Sequence, residues 1–126
     1  MSVFKLEDLI VWKKSLDYAK YIYHITREYP PEEKYNIKKH MLECARNVPG
    51  NIAEGFGRFH YKESSQFYRI ARGSLTELRS DLFLSKSLSY LKLEEFDEAI
   101  SQIDEISMLL NGLIRATQKL KQTTGN

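Results

Sequence analysis

Apolar residues recur every three or four positions along almost the whole chain, and the alternating β-branched pattern of strands is missing, so the hydrophobic pattern predicts helices. The first is expected over residues 7–28, where Leu9, Trp12, Leu16, Ala19 and Tyr23 form an inner stripe and Pro30 and Pro31 close the segment. The second, over 34–57, carries Ile37, Met41, Cys44 or Ala45, Val48 and Ile52. Pro49 falls inside that pattern, which resumes in phase and so predicts a kink near 45–48 and not a break. Gly55, Gly57 and the polar run through Ser64 supply a turn. The third helix is expected over 62–90 with Phe67, Ala71, Ser74, Leu78, Leu82 and Ser85 inward. The fourth, over 94–120, opens with Glu94, Glu95, Asp97 and Glu98 at the positive end of its dipole. It continues with Phe96, Ile100, Ile103, Ile106, Leu110, Leu113, Thr117 and Leu120 at near-heptad spacing. Residues 121–126 are expected to fray. Helices of this length on short links lie side by side, so the predicted fold is all-α: an antiparallel up-down-up-down four-helix bundle, one domain over 1–126.

The first helix carries a second stripe. Val11, Tyr18, Ile22, Ile25 and Tyr29 lie opposite the first, and a monomer would keep that back polar. On the third helix Gly73, Thr76, Ser80 and Ser87 stack away from the expected core beside Phe83, where another backbone could approach. Together these predict self-association, with scattered surface aromatics as the alternative.

Composition adds bounds. The chain has 126 residues, 29% charged and 42% hydrophobic, which suits a folded domain that needs no staple. No apolar run approaches the roughly 20 residues that span a bilayer, and residues 1–10 lack a leader's long apolar stretch, so no membrane segment is expected. One cysteine, Cys44, permits no internal disulfide and fits the cytoplasm. His24, His40 and His60 have no acid three residues before them, which argues against a di-iron bundle. No zinc-finger spacing, phosphate loop or nucleophile elbow is present. Cys44 reads as a core filler and the histidines as surface or capping residues. No enzyme site, cofactor or metal is expected.

Charge is distributed more unevenly than the net +2 suggests. Between residues 34 and 72 eight basic residues stand against three acids, whereas between 94 and 115 six acids stand against one base. Lys38, Lys39, Arg46, Arg58, Lys62, Arg69 and Arg72 are therefore candidate contacts for RNA or DNA phosphates, with Phe59, Tyr61 and Tyr68 as stacking platforms. The alternative is that this basic stretch pairs with the acids of the fourth helix, within or between subunits.

Asn51-Ile52-Ala53-Glu54-Gly55-Phe56-Gly57-Arg58 and Arg69-Ile70-Ala71-Arg72-Gly73-Ser74-Leu75-Thr76-Glu77-Leu78 form the densest polar signature. With Leu9-Ile10-Val11-Trp12-Lys13 and Met108-Leu109-Leu110-Asn111-Gly112-Leu113-Ile114, they resemble the bacterial four helix bundle proteins encoded in 23S rRNA intervening sequences. Val48-Pro49-Gly50 departs from the serine-containing run common in that family. The resemblance implies an up-down bundle assembled as a homo-oligomer, typically a homopentamer, and nucleic-acid binding. Relatives include the accessory variability proteins of diversity-generating retroelements, which work with a reverse transcriptase and its RNA, so a reverse transcriptase is a candidate partner. Physically, Asn51, Glu54, Arg72 and Glu77 are expected to form an ion-pair and hydrogen-bond cluster that fixes the register of the second and third helices or ties adjacent subunits. Gly73 is expected to allow close packing and Gly55 to end a helix.

Overall fold

The computed structural model describes residues 4–58 and 60–124, with side chains as far as Leu120, and among them the predicted helices form and no strand does. They are α1 (Ile10–Ile25), α2 (Ile37–Phe56), α3 (Tyr61–Ser87) and α4 (Leu93–Thr124). α2 packs on α3, α3 on α4, and α1 between α2 and α4, which gives the antiparallel four-helix bundle.

Local chemistry sets the ends. α1 is shorter than expected because a separate 3-10 turn, Leu6–Asp8, precedes it and Leu9 is extended. It closes at Thr26, whose hydroxyl donates to the Ile22 carbonyl at 2.8 Å. α2 runs unbroken through the buried Pro49. α3 ends with Ser89 in the left-handed region at φ 61°, and the Tyr90 N–H reaches back to the Ser85 carbonyl at 3.0 Å. The Glu95 carboxylate accepts the Lys92 backbone N–H at 2.9 Å and so caps the start of α4. α4 stays helical to Thr124, past the point where fraying was expected. Residues 125–126 lie outside the described residues.

One core cluster draws on all four helices. Met41, Cys44, Ala45, Val48 and Ile52 of α2 and Ala71, Ser74, Leu78, Leu82 and Ser85 of α3 are buried as the spacing predicted. α4 contributes Phe96, Ile103, Ile106, Leu110 and Thr117. Ile37, Phe67, Ile100 and Leu113 are only half-buried, and Leu120 is exposed.

On α1 the expectation is overturned for the second stripe and for part of the first. Val11, Tyr18, Ile22, Ile25 and Tyr29, expected at an oligomer interface, are all in the core. Of the first stripe, Leu16 and Tyr23, expected inside, are exposed, whereas Ala19 is buried and Leu9 and Trp12 pack half-buried against the core. The reason is Ser15, which completes a four-three-four-three spacing from Val11 through Tyr18 and Ile22 to Ile25. Its hydroxyl is satisfied within the helix by the Trp12 carbonyl at 2.8 Å, so it can be buried without penalty. The Tyr18 hydroxyl likewise donates to the Ala99 carbonyl of α4 at 3.1 Å.

The glycines also depart from expectation. A Cβ on Gly55 would lie 2.6 Å from Tyr68 Cε1 and 3.0 Å from the Ser64 carbonyl oxygen, so Gly55 is where α2 and α3 approach closely and Gly57 is where α2 ends. A Cβ on Gly73 would meet nothing within 4 Å.

Two predictions follow from this packing. Gly55→Ala should destabilise the protein by about 1–3 kcal/mol through overpacking, whereas Gly73→Ala, in an open helix interior, should stabilise it by about 0.5–1 kcal/mol; urea unfolding of both variants checks the contrast. Burial disfavours the phenolate and so raises the pKa of Tyr18 and Tyr68, and it pushes Tyr29 up to about 12 from its usual 10.0. A phenol raised in the folded state adds stability that is complete below about pH 10 and is lost as pH climbs through the folded value. Unfolding midpoints should therefore fall above about pH 10, and Tyr29→Phe should flatten that fall.

Candidate nucleic-acid interface

Pro30 and the 3-10 turn Pro31–Glu33 carry the chain across from the end of α1 to the start of α2. Tyr90 anchors this crossing, donating its hydroxyl to Glu33 at 2.7 Å. The crossing opens a groove of about 440 Å³ between the two helices. Lys34, Lys38, Lys39 and Arg46 line it along α2, with Tyr23 from α1, Tyr35, Leu42 and Glu43. Four cations thus face one carboxylate. Lys39 and Glu43 are 3.9 Å apart, and the Arg46 guanidinium donates to the Leu42 carbonyl at 3.4 Å, which leaves its other donors available. Tyr35 is 76% exposed, with the Lys34 ammonium 5.3 Å from its ring centroid, and Tyr23 is 42% exposed. Three of the cations sit at or just before the amino end of α2, where the helix dipole is already positive and no acid occupies the first turn.

The other expected cations do not join this groove. Arg58 stands at the far end of α2, paired with Glu54 at 2.9 Å and stacked 4.8 Å from the Phe67 ring centroid. Lys62 and Arg69 are exposed along α3. Arg72 turns to α4, donating to Asn111 at 2.9 Å. Of the expected stacking residues, Tyr68 is buried against Gly55, Tyr61 is half-buried, and Phe59 lies outside the described residues. Tyr23 and Tyr35 are not marked as site residues by the sequence: helical spacing places Tyr23 in the core, and Tyr35 stands alone between two helices where no periodicity marks it.

The acids of α4 are engaged elsewhere. Asp104 accepts from Arg79 at 2.8 Å and Glu105 from Lys14 at 2.5 Å, so α3 and α1 take up part of that charge. Among the described residues no carboxylate lies in ion-pair range of Lys38, Arg46, Lys62 or Arg69.

With fold and groove in place, comparison with known proteins is decisive for kinship. The family model described as 23S rRNA-intervening sequence protein matches residues 7–112. The chain belongs to that family. A crystal structure of a protein of unknown function from the S23 ribosomal protein family, from Bacteroides thetaiotaomicron VPI-5482, superposes with a TM-score of 0.78 at 23% identity. The match covers 84% of this chain and 96% of that one, and it supports the shared fold. A search of curated proteins gave no match.

In this family member the polar signature does not gather as expected. The Asn51 amide donates to the Asn47 carbonyl at 2.8 Å, Glu54 pairs with Arg58, Arg72 with Asn111, and Glu77 faces His40 and Cys44. Arg72 and Glu77 are five residues apart and so point about 140° from one another around α3, one towards α4 and the other towards α2. Asn51 and Glu54 thus bond locally along their own stretch of chain, while Arg72 serves the α3–α4 seam and Glu77 the α2–α3 seam. The expected row Gly73, Thr76, Ser80, Phe83 and Ser87 is exposed along α3. Phe83 packs edge-on against Phe96, with ring centroids 5.0 Å apart. No helix among the described residues is long and apolar enough to cross a membrane.

Proposed function

We propose that the chain is a non-enzymatic, homo-oligomeric protein that binds RNA or DNA, with phosphates held along the α1–α2 groove. The observation that carries this reading is the convergence of Lys34, Lys38, Lys39 and Arg46 with Tyr23 and Tyr35 in one groove that holds a single acid. The lysines and arginine supply phosphate contacts and the exposed rings supply stacking for unpaired bases. The family takes its name from 23S rRNA intervening sequences, so structured RNA is the ligand to try first. Self-association is supported by the exposed row on α3, where Gly73 leaves room for a second backbone and Phe83 is 50% exposed. A reverse transcriptase is the protein partner to test beside the nucleic acid. A second reading, a scaffold whose surface serves only contacts between copies, rests on that same row.

Filter binding across a salt series separates the two. Affinity should fall linearly on a log-log plot with a slope of about −0.7 to −0.9 per phosphate engaged. The triple variant Lys38→Glu, Lys39→Glu, Arg46→Glu should lose most of the affinity while light scattering reports the same particle mass. Absence of binding at low salt, or a triple variant that changes mass and not affinity, would favour the scaffold.

A further inference from the structure

α2 and α3 run antiparallel, and their register brings two one-turn pairs face to face: His40 and Cys44 on α2, Glu77 and Asp81 on α3. His40 Nε2 lies 3.6 Å from Cys44 Sγ and 3.7 Å from Glu77 Oε2, and Cys44 Sγ lies 3.5 Å from Glu77 Oε2. These three atoms form a nearly equilateral triangle. A tetrahedral zinc ion with bonds of about 2.3 Å to sulfur and 2.0–2.2 Å to nitrogen and oxygen requires donor-to-donor edges of about 3.4–3.6 Å. The side chains therefore stand close to the spacing of three corners of a zinc polyhedron.

The outer contacts fit the same chemistry. The other ring nitrogen of His40, Nδ1, is held by the Asp81 carboxylate, which leaves Nε2 as the nitrogen facing Cys44 and Glu77. A carboxylate behind a histidine is the usual way a protein orients an imidazole for metal ligation. Cys44 closes the site from the core side, while the His40 and Glu77 side chains are 46% and 64% exposed, so an ion can enter from solvent. With the thiol ionised and His40 neutral, the four side chains would carry three negative charges. Among the described residues no lysine or arginine lies in ion-pair range of Glu77 or Asp81, so with His40 neutral a divalent cation would supply the balancing positive charge.

We propose that His40, Cys44 and Glu77 form a binding site for a zinc-type divalent transition-metal ion, with Asp81 as its positioning residue and the fourth coordination position open to water. The ion would tie α2 to α3 at mid-helix. Neither finger-type cysteine spacing nor a Glu-x-x-His pair marks this site in the sequence, which is why no metal is expected from those patterns. The available signal was a His-x-x-x-Cys on one helix and a Glu-x-x-x-Asp on the next, each one turn apart.

Cobalt(II) titration of the reduced, chelator-treated full-length protein tests this. One equivalent should give a thiolate-to-cobalt charge-transfer band and the intense visible bands of a four-coordinate ion, both abolished by one equivalent of zinc. Cys44→Ser should lose the charge-transfer band. The exposed substitution Glu77→Gln, which leaves the core intact, should weaken cobalt binding at least tenfold. Asp81→Asn should weaken it about 10- to 100-fold and keep the band. No charge-transfer band at stoichiometric cobalt, a band that persists in Cys44→Ser, or an unchanged affinity in Glu77→Gln would overturn the site. The cluster would then be an ion pair of His40 with its carboxylates.

Discussion

The seating of α1 governs much of what the rest of the molecule presents to solvent. Val11, Ser15, Tyr18, Ile22 and Ile25 enter the space between α2 and α4, and the Tyr18 hydroxyl bonds the Ala99 carbonyl across that gap. Ile22 is completely buried. This orientation is the one that turns Tyr23 towards α2 and makes it a wall of the basic groove. A rotation of α1 by half a turn would bury Tyr23, expose Tyr18 and leave its hydroxyl bond unmade, at a cost on the order of one hydrogen bond plus the burial of several large side chains.

The charge pattern follows from the same arrangement. α4 and α2 lie on opposite corners of the bundle, so the acids of α4 pair with Lys14 of α1 and Arg79 of α3, and the cations of α2 are left to solvent. A small net charge therefore coexists with a groove that gathers four cations against one carboxylate. On its other flank α2 meets α3, and there the mixture of imidazole, thiol and carboxylate replaces apolar packing. Burial, followed by the nearby acids Glu77, Asp81 and Glu43, pushes the Cys44 thiol up to about 12, while the hydrogen bond to Asp81 raises His40.

How legible all this is in the sequence varies from helix to helix. The stripes of α2, α3 and α4 are unambiguous because each has one apolar side, and they give the fold and most of the core. α1 has two apolar sides of equal quality, and the deciding residue, Ser15, looks polar until its bond to the Trp12 carbonyl is known. Three of the seven expected cations, Lys38, Lys39 and Arg46, share a groove, because periodicity fixes neighbours on one helix. Arg58, Lys62, Arg69 and Arg72 scatter, because their placement depends on which neighbour each side of α3 meets. The expected quartet of Asn51, Glu54, Arg72 and Glu77 fails for that same reason, and the close approach falls at Gly55 and not at Gly73 because closeness between helices leaves no mark in either helix alone.

The orientation of α1 can be tested by comparing Ile22→Ala with Leu16→Ala in urea unfolding. The account predicts a loss of about 2–5 kcal/mol for Ile22→Ala and less than about 1 kcal/mol for Leu16→Ala. A larger loss for Leu16→Ala than for Ile22→Ala would contradict it.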